Sequence, residues 1–309
     1  MAMTEPHEEA VKEAMPLMQS AEPSALEAME LELLLNALHS RYGYDFRHYC
    51  RDSLWRRVKL RLEREGVEHI SELIPLVMRD AVLGQRLIMD FSITVTQFFR
   101  DPDVFLALRR SVFPLLRTFP FFKIWHAGCA TGEEVYSLAI LLHEEGLLER
   151  ALIYGTDINA GAINTATRGV YSTEQLDKAL ASYRQAGGQG DLDSYFHRRY
   201  GRVKAASFLS DRLTFSLHNL VSDGTFGEMQ LILCRNVLIY FDQRLKEKTL
   251  QLFARSLYHK GFLCLGRQEH LVPGQQPFEA VDKTLRLYQK SDASSLTAPV
   301  AAVVAGISG

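Results

Sequence analysis

Ile124-Trp125-His126-Ala127-Gly128-Cys129-Ala130-Thr131-Gly132-Glu133-Glu134 decides the fold. An apolar, strand-like run breaks into a small-residue loop, and an amphipathic helix begins at once. This is how an α/β sheet presents a ligand site at the carboxyl edge of its first strand. Gly128, Ala130 and Gly132 leave the backbone open to close approach by a ligand. Phosphate-binding loops lead into a Lys or into bare helix amides, because a phosphate is anionic. Here Glu133 and Glu134 open the helix instead, and the strict G-x-G-x-x-G spacing is absent. Such a loop repels a pyrophosphate and suits a cationic or hydroxyl-bearing ligand.

Ala151-Leu152-Ile153-Tyr154-Gly155-Thr156-Asp157 is a second buried strand ending in an acid, the place from which a carboxylate reaches ribose hydroxyls. Together the two segments describe a nucleoside site without phosphates. S-adenosylmethionine fits that description better than NAD or ATP. Asp157 has a competing role as the cap of the next helix. Either acid of the Glu133-Glu134 pair is also a favourable first-turn charge. Glu133, nearer the loop, is the expected ligand. His126 is expected to be a satisfied core histidine.

Working outward, strand and helix alternate: strands at 122–127, 152–157, 230–234 and 262–265, helices at 133–145, 160–168 and 243–257, the last capped by Asp242. Alternation of this kind predicts an α/β fold, Rossmann-like, with a mainly parallel sheet covered on both faces. Between residues 195 and 217 the pattern shortens to 200–203, 206–209 and 213–217, which predicts a small antiparallel β excursion. Ahead of the sheet, Leu31, Leu34, Leu35 and Leu38 repeat at helical spacing, and further helices follow at 54–64, 70–78 and 82–89. The expected organisation is an acidic leader over 1–24, disordered by composition, and an N-terminal all-helical domain over 25–90. A catalytic domain over 91–292 and a flexible tail over 293–309 follow.

The net charge of −2 argues against a general nucleic-acid binder. The four cysteines, Cys50, Cys129, Cys234 and Cys264, lack paired metal-ligand spacing, so no metal is expected and the protein reads as reduced and cytoplasmic. No apolar run reaches the roughly 20 residues of a membrane span, so no insertion is expected. The helix at 54–64 places Leu54, Val58 and Leu62 on an inward stripe and Arg57, Arg61 and Arg64 on another, a solvated face or a surface for an acidic partner.

Five segments stand out together: Thr96-Gln97-Phe98-Phe99-Arg100-Asp101, the Gly128–Glu134 loop with Tyr136-Ser137, Gly155-Thr156-Asp157-Ile158, Asn219-Leu220, and Cys234-Arg235-Asn236-Val237-Leu238-Ile239-Tyr240-Phe241-Asp242. They resemble the CheR-type chemotaxis-receptor methyltransferases, which methylate glutamate side chains. The resemblance spans about residues 30–290. It implies that Thr94, Thr96, Arg100, Glu133, Asp157, Asn219, Leu220, Cys234, Arg235 and Asn236 line the S-adenosylmethionine pocket. Arg100 and Tyr240 would lie near the transferred methyl. Composition alone leaves Arg100 an ordinary partner for Asp101 or Asp103, and Tyr240 a core aromatic. The chain departs from the family style at Thr94, at Val135 and at Gly266-Arg267-Gln268-Glu269, where the family often has Asn, Pro and Gly-His-Ser-Glu.

The reaction so implied is O-methylation of a protein glutamate, giving a methyl ester and S-adenosylhomocysteine. The implied partner is the cytoplasmic helical domain of a methyl-accepting receptor, met by Arg57, Arg61 and Arg64, and the enzyme is expected as a monomer. Two alternatives stand beside it: a methyltransferase for a small carboxylic acid, and a non-catalytic module that binds S-adenosylmethionine as a signal.

Overall fold

A computed structural model describes residues 24–271 and 277–291. Apart from Ser24, the expected leader lies outside the described residues, as does the whole of the expected tail.

Four helices come first: α1 (Ala25–Tyr42), α2 (Arg51–Glu65), α3 (Ile70–Arg79) and α4 (Ala81–Phe91). Ser24 starts α1 through a capping box with Glu27, satisfying two amides that a helix end leaves bare. The helices bury Leu34, Leu38, Phe46, Leu54, Val58 and Leu87 against one another and form a core of their own. Arg57, Arg61 and Arg64 do not form one outward stripe. Arg61 is 6% exposed, its guanidinium turned into the α2–α4 seam to bond Asp90 and Glu65, whereas Arg64 stays exposed.

The chain continues through α5 (Pro102–Ala107), a π turn at Leu108–Val112 and α6 (Phe113–Leu116) into β1 (Phe122–Ala127), α7 (Glu133–Glu144), β2 (Ala151–Asp157) and α8 (Ala160–Arg168). Then come β3 (Val170–Ser172), α9 (Thr173–Gln185), β4 (Phe196–Arg199), β5 (Arg202–Ala205), α10 (Ser207–Ser210) and β6 (Leu213–Leu217). The last stretch holds β7 (Met229–Cys234), α11 (Gln243–Ser256), β8 (Leu257–Leu265), β9 (Phe278–Asp282) and β10 (Leu287–Lys290).

Seven strands form one sheet in the order β6-β2-β1-β7-β8-β10-β9, parallel except that β10 runs against both neighbours. The order reverses between β1 and β7, which opens a crevice at their carboxyl ends. β7 is buried at every position, as a central parallel strand covered on both faces must be.

The antiparallel excursion differs from the expectation over 195–217. It is the three-stranded sheet β3-β5-β4, which recruits residues 170–172 from far upstream. Residues 207–210 are helical, and residues 213–217 leave it to pair in parallel with β2 at the edge of the main sheet. A short alternating segment fits either a hairpin or a parallel edge, and only its partner decides.

The segment between α1 and α2 seats the helical unit over the crevice. Tyr49 forms an antiparallel bridge with Phe241, Cys50 N donates to Tyr240 O at 2.7 Å, and Asp242 N donates to His48 O at 2.8 Å.

Candidate active site

The loop after β1 is clasped to the end of β2. Gly128 N and Cys129 N both donate to Thr156 O, at 2.7 and 2.9 Å, and Ala130 N donates to Asp157 Oδ2 at 2.9 Å. The path needs left-handed backbone at Gly128, Ala130 and Gly132, with φ of 76°, 49° and 93°. A Cβ on Gly128 would also collide with Val237 Cγ2, so this glycine is set by φ and by space together.

The cleft beyond this loop is lined by the carboxyl ends of β1, β2, β6 and β7, and is closed on one side by Tyr49, Phe91 and Ser92 of the helical unit. Thr96, Arg100, Asp157, Asn219, Leu220, Arg235, Asn236 and Tyr240 all face it. Asp157 caps no helix: Oδ1 accepts Asn159 N at 2.9 Å, and Asn159 itself caps α8. Burial pushes the Asp157 carboxyl up, against the pull of these amides. Asn219 is fixed by its own turn, Oδ1 accepting Val221 N at 2.9 Å.

Three expected ligands do not line the cleft. Thr94 lies outside its wall between Ile93 and Val95. Cys234 is wholly buried, because successive strand side chains alternate faces and Leu233 and Arg235 take the cleft side. Glu133 turns away from the cleft to accept from Thr131 Oγ1 at 2.6 Å, and burial pushes its carboxyl up to about 7. Its neighbour Glu134 lines the cleft instead and meets Arg235 Nη1 at 2.8 Å. Burial raises the Glu134 carboxyl, opposed chiefly by Arg235.

Arg235 organises this floor. The same Nη1 donates to Arg100 O at 3.1 Å, and Nη2 bonds Asp101. Phe99 and Asp101 sit at positive φ, and Phe99 N donates to Ser137 Oγ at 2.9 Å, so the loop carrying Arg100 is tied from both sides. Asp101 is thereby shared between Arg235 and Arg267, and Asp103 is held by Arg267. Arg100 lines the cleft and forms no ion pair among the described residues, though its charge helps to lower the Glu134 carboxyl.

One residue of the wall had no signal in the local pattern. His126 is buried and lines the cleft with Nε2 unpartnered, rather than being a satisfied core residue, and burial lowers it to about 3, so it is neutral. Asn236, at φ 60°, also lines the cleft, with Oδ1 buried and unpartnered. At the mouth stands Tyr240. Burial raises its phenol despite the nearby Arg57 and Arg100, so the hydroxyl stays protonated. Arg57 donates to Asp90 O at 2.6 Å, yet its Nε is unpartnered, and the Asp90 carboxylate, bonded to Arg61, acts on it without forming an ion pair.

The donor set suits a ligand with hydroxyls, a cation and a carboxylate: acceptors at Asp157, Glu134 and Asn236 Oδ1, and a free guanidinium at Arg100. Comparison with known families agrees. Residues 94–287 match the CheR methyltransferase SAM-binding domain, and residues 29–92 match the all-alpha domain of the same family. The chain belongs to the CheR methyltransferase family.

Among its relatives is the Pseudomonas putida protein described as a methyltransferase, Cher3, 44% identical over 85% of this chain and 97% of that one. The chemotaxis protein methyltransferase of Salmonella typhimurium is 26% identical over 90% of this chain and 96% of its own. That of Listeria monocytogenes is 28% identical over 74% and 86%. The protein is thus an S-adenosylmethionine-dependent methyltransferase of the chemotaxis type. Among the described residues no group of His, Cys, Asp and Glu could hold a metal ion, and no helix is long and apolar enough to cross a membrane.

Proposed function

We propose that this CheR-family enzyme methylates glutamate side chains on the cytoplasmic helical region of a methyl-accepting receptor. The carrying observation is the mouth of the cleft, where Arg57 and Arg100 stand near Tyr240 and neither forms an ion pair among the described residues, the carboxylates within their influence, Asp90 and Glu134, being bonded to Arg61 and Arg235. An arriving glutamate supplies the missing charge.

Asp157 would hold the adenosine and Arg100 and Glu134 the amino-acid end of S-adenosylmethionine, which would supply a methyl group on a sulfonium. The chain's own work is alignment. A glutamate has a pKa of about 4.3 and is already ionised near neutral pH, so no general base is needed. Tyr240 is suited to this as a neutral donor that orients one carboxylate oxygen while the other points into the cleft. Holding the reacting atoms about 3 to 3.5 Å apart and in line accounts for several orders of magnitude. Charge is neutralised as the bond forms, so the walls of Tyr49, Phe91, Ile93 and Phe241 help by keeping water out.

Of the three arginines expected to meet the receptor, Arg57 is supported by its place near Tyr240, and Arg64 is exposed beside Asp90. Arg61 is committed to Asp90. Transfer of labelled methyl from S-adenosylmethionine to a purified receptor cytoplasmic fragment tests the reading, alongside calorimetry with S-adenosylhomocysteine. Label on glutamate as a base-labile ester is the expected result. Tight binding of the cofactor with no transfer to any receptor fragment would overturn it in favour of a signalling module. Transfer to free small acids alone would favour the other alternative.

A further inference from the structure

Glu269 is 4% exposed, and its hydrogen-bond partners are all backbone amides. It accepts from Asn236 N at 3.0 Å, Val237 N at 2.8 Å, Ile239 N at 3.3 Å, and also from Gly266 N. The loop it gathers runs straight from the end of β7 into Tyr240. Within that loop Asn236 is held at φ 60°, a conformation that a non-glycine residue keeps only where its surroundings impose it. Gly266 is equally constrained, since a Cβ there would stand 2.7 Å from both Asn236 N and Glu269 Oε2. One residue away, Arg267 reaches in the opposite direction, to Asp103 at 2.6 Å and Asp101 at 3.4 Å. Asp101 directly follows Arg100.

We propose that the turn Gly266–Glu269 is a two-sided clamp: Glu269 is the positioning residue that sets Asn236 and Tyr240, and Arg267 sets the Arg100 loop opposite them. The proposal rests on the reading of Arg100 and Tyr240 as the groups beside the reacting carboxylate. A charged acceptor makes stronger bonds to amides than a neutral one, so the loop's shape depends on the charge of Glu269 as well as its presence. Arg267 holds its side from an exposed position through two half-buried acids, a weaker grip. The aim of Tyr240 therefore depends mainly on Glu269. Misplacement of a reacting group by about 1 Å costs about 100-fold in rate.

The test uses the full chain with Glu269→Gln, Glu269→Asp and Arg267→Ala, and three measurements. In the ligand-free Glu269→Gln protein, amide hydrogen exchange at Asn236, Val237 and Ile239 should accelerate at least about tenfold, while β7 and β8 keep their protection. With a receptor fragment, kcat should fall about 30- to 100-fold with KM changed less than about threefold. Calorimetry with S-adenosylhomocysteine should show the same site still occupied. Glu269→Asp, which keeps the charge on a shorter arm, should restore part of kcat. Arg267→Ala should leave exchange at 236–239 unchanged and lower kcat less than about tenfold.

Unchanged exchange at 236–239, an unchanged kcat, or loss of protection across β7 and β8 in both Glu269 variants would each overturn the clamp. Failure of the wild type to transfer methyl would overturn the functional reading instead. The exchange measurement would still decide whether Glu269 holds the loop.

Discussion

The floor and the mouth of the cleft carry the same kinds of charge in opposite states. On the floor, Arg235 is met by Glu134, Asp101 and a carbonyl, and Glu269 is met by four amides. At the mouth, Arg57 and Arg100 stand near Tyr240 and form no ion pair among the described residues, because Asp90 and Glu134, the carboxylates that feel them, are bonded to other arginines. A charge answered within the chain is architecture, since removing its partner strands a buried ion. A charge left unanswered at an opening is available to a substrate. The difference separates residues that hold the site from those that receive the receptor, and each half makes a distinct prediction.

The largest effect belongs to the floor. Arg235→Ala leaves Glu134 and Asp101 without their buried cation and frees the loop bearing Arg100. Breaking one partner out of such a network costs about 3 to 5 kcal/mol. Urea denaturation should show this loss, with S-adenosylhomocysteine affinity falling along with it. A cost under about 1 kcal/mol would mean that the floor is as adaptable as the mouth, and the distinction would collapse.

Next comes the pair Glu133 and Glu134, adjacent acids with opposite company. Glu134 has Arg235, whereas Glu133 has only neutral donors, Thr131 and Gln175. Burial raises Glu133 from 4.5 to about 7, so between those values the folded protein holds a proton that the unfolded chain has released. Its contribution to stability is therefore greatest at low pH and is lost as pH rises toward 7, on the order of 3 kcal/mol in all. Glu133→Gln removes that dependence. The variant should gain on the wild type from about pH 5 to pH 7 and level off above it in urea midpoints, and a constant difference throughout would place the Glu133 carboxyl in contact with solvent or a cation.

Much of this was legible in the sequence because it is local. The breaks after Ala127 and Asp157 mark strand ends, and Asp242 announces α11 by accepting from Leu245 N at 2.8 Å. What escaped depends on what packs where. Glu133 and Glu134 lie about 100° apart on a helix, and only the position of α7 over the sheet decides which one sees the cleft. Arg57 and Arg61 are likewise neighbours on α2, divided by the position of Asp90 on α4. Tyr49 and Phe91 reach the site from a separate helical unit, so no spacing within either domain could name them. Cys234 is different. The strand alternation that puts Leu233 and Arg235 on the cleft side was available, and it excludes the residue between them. Glu269 carried a faint signal too, as the one acid in a turn beginning with a glycine that tolerates no side chain.

At the mouth the effects are smaller and fall on the receptor. Arg57→Ala leaves Asp90 still bound to Arg61, so stability should hardly change, while KM for the receptor fragment rises about tenfold and kcat stays within about threefold. Loss of S-adenosylhomocysteine binding in this variant would place Arg57 with the floor and blur the comparison.

Arg56 gives the finest test. Exposed on α2, it donates to Asp52 O and lies close enough to Tyr240 to influence it, but it lines no part of the cleft. If the mouth acts by steering an acidic helix, Arg56→Ala should change how fast the receptor arrives and leave the bound complex alone. The expected signature is a two- to threefold lower kcat/KM, about the scale of one exposed charge, that vanishes in 0.5 M salt where the Debye length falls to about 4 Å. The Arg57→Ala deficit should outlast that salt, because its guanidinium is half-buried and burial already lowers its pKa. Equal salt sensitivity in the two variants would make Arg57 another steering charge, and the receiving role would pass to Arg100 and Tyr240 alone.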